Sequence, residues 1–158
     1  MNPVQAAIVA HLRANGVGYR QLHHEPTRTS EDSARVRGEP MAIGGKSLVL
    51  KAADRFVVLV LSAALRAQSK GLRKALGVKR LRFATPQELL ELTGCVPGCV
   101  PPFGRPILDL PLLVDASILR NERIAFNAGS LTDSVIMARP DWQRCVEIET
   151  IVDVAEQC

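Results

Sequence analysis

Residues 47–62 of the chain read SLVLKAADRFVVLVLS and give its clearest structural signal. Two runs rich in valine and leucine, residues 47–52 and 55–62, are separated only by Ala53 and Asp54, a pattern that predicts a β-hairpin. The second run carries six consecutive apolar residues, which is typical of a strand buried on both faces. We therefore expect this strand to lie at the centre of a sheet.

Helical segments flank the hairpin on both sides. Upstream, residues 31–37 form a short predicted helix that Ser30 or Thr29 caps. Downstream, residues 69–76 predict a helix that ends at a glycine, and residues 85–88 (TPQE) match a capping box that starts another. Because strands and helices mix without a regular βαβ alternation, the prediction is a mixed-sheet α+β fold, with one domain over residues 1–158.

Composition and length narrow the class of protein. A chain of 158 residues with 47% hydrophobic residues is too apolar to be disordered. Its longest apolar run, residues 56–65, is interrupted by Ser62 and is shorter than the roughly 18 residues that a membrane-spanning helix needs. The N-terminus lacks the early positive charge of a targeting peptide, so we expect a cytoplasmic protein whose four cysteines are reduced.

Positive charge is concentrated in one part of the chain. Residues 56–87 contain no acid and carry seven of the 20 basic residues, although the net charge is only +4. A surface of one sign favours a polyanion, which makes nucleic acid the leading partner class, while a solvated helix face is the alternative. The candidate phosphate-binding residues are Arg66, Lys70, Arg73, Lys74, Lys79 and Arg80.

Several familiar motifs do not fit. Gly45-Lys46-Ser47 looks like the end of a phosphate-binding P-loop, but the first glycine of that motif would fall on Pro40. Cys95 and Cys99 lack a spacing to any histidine that is diagnostic of zinc. No histidine follows His24 to act as the base of a serine nucleophile. We therefore predict no metal, no cofactor and no covalent nucleophile.

Three weaker features remain: Lys46 after two glycines, a proline- and glycine-rich loop at residues 95–106, and the turn at residues 127–130 (NAGS). Two segments, KGLRKALGVKRLRFATPQEL at residues 70–89 and TGCVPGCVPPFG at 93–104, supply a basic helix, a strand, a capped helix and a Gly-x-x-x-Pro loop in that order. This order resembles the YbaK/EbsC/ProX group, and the resemblance extends from about residue 24 to residue 148.

That group includes free-standing aminoacyl-tRNA deacylases and the editing domain inserted in bacterial prolyl-tRNA synthetase. The resemblance implies a mostly antiparallel, barrel-like sheet surrounded by helices. It also implies trans-editing: metal-free hydrolysis of the ester between a small noncognate amino acid (Ala, Ser, Thr or Cys) and the terminal adenosine of a tRNA, usually the tRNA for proline. The partners would be the acceptor end of an aminoacyl-tRNA and, as a candidate, prolyl-tRNA synthetase. The alternative is a non-catalytic tRNA- or synthetase-binding module of the same fold.

The resemblance also assigns residues to roles. The family's key lysine falls on Lys46 and its Gly-x-x-x-Pro loop on Gly98 and Pro102, which makes these three the candidate catalytic residues. The candidate substrate-binding residues are Thr27, Thr29, Ser30, Asn127, Gly129 and Ser130. An aminoacyl ester is already activated, so positioning and electrostatics suffice, with the water placed by backbone groups and by the substrate's own hydroxyl or amine.

Overall fold

Helices and strands are interspersed along residues 2–158, the part of the chain that the computed structural model describes. The helices are α1 (Pro3–Ala14), α2 (Ser30–Arg37), α3 (Ser69–Leu76), α4 (Pro86–Thr93), α5 (Ala116–Leu119) and α6 (Arg139–Arg144). The strands are β1 (Arg20–His23), β2 (Gly45–Ala52), β3 (Arg55–Ser62), β4 (Leu65–Ala67), β5 (Leu81–Phe83), β6 (Leu112–Asp115), β7 (Arg123–Asn127), β8 (Asp133–Ala138), β9 (Ile148–Val152) and β10 (Ala155–Gln157). A 3₁₀ turn at Met41–Ile43 precedes β2.

The predicted hairpin forms the middle of the largest sheet, whose strand order is β5-β2-β3-β6-β9. Strands β2 and β3 pair antiparallel with Ala52 opposite Arg55, while β6 joins β3 and β9 joins β6 in parallel. A three-stranded antiparallel sheet has the order β1-β8-β7, and β10 pairs with β4. An isolated bridge from Gly44 to Ala125 connects the start of β2 to the three-stranded sheet.

Strand β3 is buried on both faces, as its sequence predicts. Val58 and Val60 face a large core that includes residues of α1 and α6, whereas Val57 and Leu59 face a smaller core against α3. Alternate side chains of a strand point to opposite faces, so one apolar strand supplies both cores. This explains why β3 has almost no polar positions.

The helix ends follow the capping chemistry in the sequence. The side chains of Asn2, Thr29 and Thr85 each accept a hydrogen bond from a backbone N–H in the first turn of α1, α2 and α4. Thr85 and Glu88 form the predicted capping box. The prediction left the cap of α2 between two residues, and the structure shows that it is Thr29 rather than Ser30.

The α+β class with mixed, mostly antiparallel sheets is confirmed. The barrel-like arrangement is corrected in one respect: over residues 2–158 the strands form three separate sheets and no closed barrel, because β5 and β9 are left as edges. The short elements α5, β4 and β10 have no counterpart among the predicted elements. No helix among the described residues is long and apolar enough to cross a membrane.

A buried carboxylate, Asp115, ties the C-terminal segment to the main sheet. Its side chain is fully buried at the end of β6, where one oxygen accepts the N–H of Ser117 at 2.9 Å. The other oxygen accepts the N–H groups of Val154 at 2.8 Å and Ala155 at 3.2 Å. Three hydrogen bonds to a buried charge compensate for its lost hydration.

Asp115→Ala removes the acceptor of these three buried backbone donors, so we expect the free energy of unfolding to fall by about 3 kcal/mol. Urea denaturation measures the change. The control is Asp109→Ala, because Asp109 is 93% exposed and pairs only with Arg105 on the surface, and we expect a change of about 0.5 kcal/mol or less. Equal losses in the two variants would contradict the proposed anchoring role.

Candidate active site

A cavity of about 260 Å³ lies between α2, the start of β2, the 95–106 loop and the end of β7. Six of the nine predicted catalytic and substrate-binding residues line it: Thr27, Thr29, Ser30, Lys46, Gly98 and Asn127. These residues come from four separate parts of the sequence. The fold therefore brings together most of a set that the sequence only suggested.

Lys46 lies near the start of β2, and its ammonium donates a hydrogen bond to the carbonyl of Leu65 at 2.5 Å. Burial lowers the pKa of this ammonium, an effect that Cys158 and Glu31 partly offset. The preceding Gly44 permits a close approach, because a Cβ there would lie only 2.8 Å from the Cβ of Ala63. Since an ammonium has three donors and the Leu65 carbonyl uses one, two remain for a ligand.

The loop wall of the cavity is fixed at Gly98. Its φ of 89° is in the left-handed region, and its carbonyl accepts a hydrogen bond from the Asn127 side-chain amide at 2.7 Å. One residue further on, the carbonyl of Cys99 accepts the N–H of Gly129 at 3.1 Å. Hydrogen bonds at two successive residues, Gly98 and Cys99, thus hold the loop against the end of β7 and the turn that follows it.

Hydroxyl groups dominate the opposite wall. Ser33 on α2 donates a hydrogen bond to Thr27 at 2.9 Å, and both side chains are almost completely buried. Ser30 lies one turn before Ser33 on the same helix and also lines the cavity. Next to Lys46 on β2, the Ser47 hydroxyl is also buried and has no hydrogen-bond partner within residues 2–158. Such a wall favours a ligand that carries a hydroxyl of its own.

Arg37 is a cavity residue that the sequence interpretation missed. Its Nε donates to the Ser134 hydroxyl at 2.9 Å and its Nη2 to the Asn127 side-chain oxygen at 3.0 Å. Burial lowers the pKa of Arg37 to about 10, so the guanidinium stays charged at neutral pH. The spacing i, i+3 and i+7 on α2 places Ser30, Ser33 and Arg37 on one face of the helix. This spacing is the signal in the sequence that could have identified Arg37 as a cavity residue.

The remaining three predicted residues do not line the cavity. Pro102 is buried, and its carbonyl accepts the Trp142 indole N–H at 3.0 Å. Gly129 has a φ of 81° and packs against the N-terminus of α1. The Ser130 hydroxyl donates to Asp133 at 2.6 Å. In this structure their contacts shape the loop and the β7–β8 turn behind the cavity.

A second, open groove gathers part of the predicted phosphate-binding surface. It is lined by Lys51, Ala53, Asp54, Arg73, Lys79, Arg80, Leu81 and Arg82. Five cations and one acid line the groove, and Arg82 is paired with Glu88 at 2.7 Å, so four cations remain to make the groove positive. Because Lys51 follows Lys46 by five residues on β2, the groove lies roughly 17 Å along the strand from Lys46.

The remaining predicted phosphate-binding residues differ in whether their charge is already paired within the protein. Lys70 and Lys74 are exposed and lie four residues apart on one face of α3. Arg66 is also exposed, but it forms an ion pair with Glu156 at 3.1 Å. The predicted phosphate-binding residues that keep an unpaired charge within residues 2–158 therefore lie on α3 and along the groove.

A polar cavity lined by three cationic residues, Arg28, Arg37 and Lys46, with a groove of further cations on the same strand, is suited to the charged end of a polyanion. Comparison with known proteins identifies the class. The family model of the aminoacyl-tRNA editing domain matches residues 24–145, and the chain belongs to this family. The resemblance seen in the sequence is thereby confirmed.

Two relatives illustrate the similarity. The multifunctional Ser/Thr-tRNA deacylase ProXp-y of Escherichia coli K12 is 36% identical over 152 residues, which cover 91% of this chain and 89% of that protein. Among solved structures, a candidate trans-editing enzyme for prolyl tRNA synthetase has a TM-score of 0.84 at 24% identity, with 99% of each chain covered. The structural match shows that the two chains share a fold.

Gly98→Ala tests the geometry of the loop wall. A Cβ at a φ of 89° is strained and would lie 3.3 Å from the Leu131 side chain, so we expect the free energy of unfolding to fall by about 1–2 kcal/mol. Gly18→Ala is the matched control, because no atom lies within 4 Å of a Cβ there. Urea denaturation compares the two variants, and a Gly98→Ala variant as stable as Gly18→Ala would show that the loop tolerates a side chain.

Proposed function

We propose that this protein is a trans-acting deacylase that hydrolyses the ester bond of tRNA mischarged with serine or threonine. The observation that carries the proposal is the cavity itself, in which Lys46 and the Gly98 loop face a wall of hydroxyl groups. The 36% identity to a Ser/Thr-tRNA deacylase supports the same reaction and the same two amino acids. The tRNA for proline is the carrier that the family resemblance implies.

The preference for serine and threonine follows from the hydroxyl wall. Ser47 has a buried hydroxyl without a partner within residues 2–158, and the Thr27–Ser33 pair lies on the same cavity. A substrate hydroxyl would add a hydrogen-bond partner to this set, whereas the methyl group of alanine would leave the Ser47 hydroxyl unpaired. A site that hydrogen-bonds a substrate hydroxyl discriminates strongly against analogues without that hydroxyl. An apolar pocket discriminates less strongly against an extra methyl group.

Positioning and electrostatics carry the reaction. Lys46 supplies a cation with two open donors, and the rigid loop at Gly98 presents backbone groups to the ester. Of the described side chains that line the cavity, Glu39 is the one carboxylate, and it pairs with Arg123. The attacking water is therefore positioned by the backbone and by the substrate's own hydroxyl or amine, as the sequence analysis proposed.

The acceptor stem would bind along the basic groove and α3. The groove is about 17 Å from Lys46, a span that the unpaired 3′ end of a tRNA can cover while its aminoacyl group enters the cavity. Such binding rests on phosphate contacts and is sensitive to salt. Prolyl-tRNA synthetase is a candidate partner, since a trans-acting enzyme benefits from capturing the mischarged product where it is released.

Release of amino acids from a panel of charged tRNAs tests the reaction. The tRNA for proline is charged separately with serine, threonine, alanine, cysteine and proline. We expect serine and threonine to be released fastest. Lys46→Ala should slow this release on the order of 100-fold, because one electrostatic donor to the reacting ester is lost.

The control for this panel is Arg13→Ala, which removes an exposed cation on α1. Circular dichroism melting verifies that each variant folds. Binding of charged tRNA without release of any amino acid would replace the proposal with the non-catalytic binding module. Normal turnover by a folded Lys46→Ala variant would remove Lys46 from the active site.

The salt dependence of tRNA binding tests the docking surface. In the double variant Arg73→Ala/Lys74→Ala, two phosphate contacts are lost, so the slope of log K against log salt should become shallower by about 2. Fluorescence anisotropy over a series of KCl concentrations measures the slope. Arg13→Ala/Arg144→Ala changes the net charge equally on exposed helix positions elsewhere, and an equal effect in this control would contradict a localised docking surface.

A further inference from the structure

Arg37 is a cation in the cavity to which the proposed reaction assigns no role. Two of its three guanidinium nitrogens are held by neutral acceptors, Ser134 and Asn127. The third, Nη1, lies beside Gly44, which also lines the cavity, and it makes no hydrogen bond within residues 2–158. No carboxylate of the described residues lies within ion-pair distance of Arg37. Arginines that do form ion pairs with carboxylates, such as Arg35, Arg55 and Arg66, are exposed on the surface.

With a neutral His24 ring, the shortest contacts around Arg37 define one arrangement of protons. The Ser134 hydroxyl also lies 3.3 Å from the Asn127 side-chain oxygen, which is the more distant of its two possible acceptors. His24 Nδ1 lies 2.8 Å from the Glu25 carbonyl, which can only accept, so the proton is on Nδ1. His24 Nε2 is then an acceptor, and it receives the Ser134 hydroxyl at 2.8 Å. The lone pairs of Ser134 are thereby directed at Arg37 Nε. His24 thus fixes the orientation of the hydroxyl that holds the guanidinium.

Asn127 completes this arrangement from the other side. Its amide nitrogen donates to the Gly98 carbonyl, so its oxygen must be the atom that faces Arg37. The side chain cannot be reversed without placing two donors against each other. Arg37 and the loop wall of the cavity are therefore positioned by the same amide group.

A partly buried charge without a counter-charge is costly in the free protein. The guanidinium nevertheless stays protonated at neutral pH, and Lys46 and Arg28 add two further cations to the same cavity. The single lining carboxylate, Glu39, is already paired with Arg123 and Arg20. The cavity is therefore positive in its free state and is completed by a negatively charged oxygen from a ligand.

We propose that Arg37 binds an anionic oxygen of the substrate in this cavity, and that His24, Asn127 and Ser134 are its positioning residues. This inference rests on the proposed deacylase function. Two groups of the substrate can supply this oxygen: the ester carbonyl, and the phosphate on the 5′ side of the terminal adenosine. In the first case, water attacks the carbonyl carbon and the C=O electron pair moves to the oxygen that Arg37 binds. The C–O bond to ribose then breaks, and the ribose oxygen takes up the proton that the water loses.

Arg37→Gln in the full chain tests the proposal, with Arg35→Gln as the matched control on the same helix. Arg35 is 63% exposed and pairs with Glu25 on the surface, so its variant should keep normal turnover. We expect Arg37→Gln to lower kcat/KM on seryl-tRNA on the order of 100-fold. Arg37→Lys should recover only part of this loss, because it keeps the charge and loses the planar donor pair.

Two substrates distinguish the sources of the oxygen. On seryl-adenosine, which has no phosphate, the loss should persist if Arg37 binds the carbonyl oxygen and should disappear if it binds phosphate. Added guanidinium at millimolar concentration should partly restore an Arg37→Ala variant, a rescue that a purely structural role does not predict. Normal turnover of both substrates by a folded Arg37→Gln variant would overturn the inference.

The outcome for Arg37 is separable from that of the deacylase proposal. If the wild-type protein releases no amino acid, the proposed function fails. Arg37 is then tested by calorimetric binding of a non-hydrolysable, amide-linked seryl-adenosine 5′-phosphate. Equal affinity of the wild type and Arg37→Gln for this probe would overturn the inference as well.

Discussion

The buried carboxylate of Asp115 connects the main sheet to the candidate active site. Its hydrogen bonds to Val154 and Ala155 hold the start of β10 in place, and β10 in turn pairs with β4. The first residue of β4, Leu65, supplies the carbonyl that receives the Lys46 ammonium. The position of the cation in the cavity thus depends on a charge buried in another part of the fold. Because a carboxylate accepts from several donors at once, one side chain suffices for this connection.

Local rules predicted the features that depend on neighbours in sequence. The hairpin, the capping box at Thr85 and the limits of α3 follow from hydrophobic pattern and capping chemistry. The link from β10 to β4 joins residues about 90 positions apart, and no local pattern marks two strands of three residues each. Arg37 was missed for the same reason, since its partners Asn127 and Ser134 lie about 90 or more residues away.

Two of the three cations that line the cavity, Lys46 and Arg37, are held in the same way. Lys46 donates to a backbone carbonyl, and Arg37 donates to a hydroxyl and an amide oxygen. Neutral acceptors orient a cation and leave its charge uncompensated. A carboxylate partner would orient the cation and also neutralise its charge. The available carboxylate, Glu39, is instead engaged by Arg123 and Arg20. The free protein therefore keeps an electric field in the cavity, which a bound anionic oxygen can use without reorganisation of the site.

In the proposed reaction, the walls of the cavity separate recognition of the amino acid from recognition of the ester. Helix α2 and the segment before it contribute Thr27 and Ser33, which are placed to contact a side-chain hydroxyl. Strand β2 and the Gly98 loop contribute the groups placed to contact the ester, and they are fixed by the main sheet and by β7. Changes of hydroxyl to methyl on α2 would alter the accepted amino acid without moving Lys46. A fold arranged in this way can exchange substrates within one reaction, because the residues that select the side chain are not those that anchor the reacting bond.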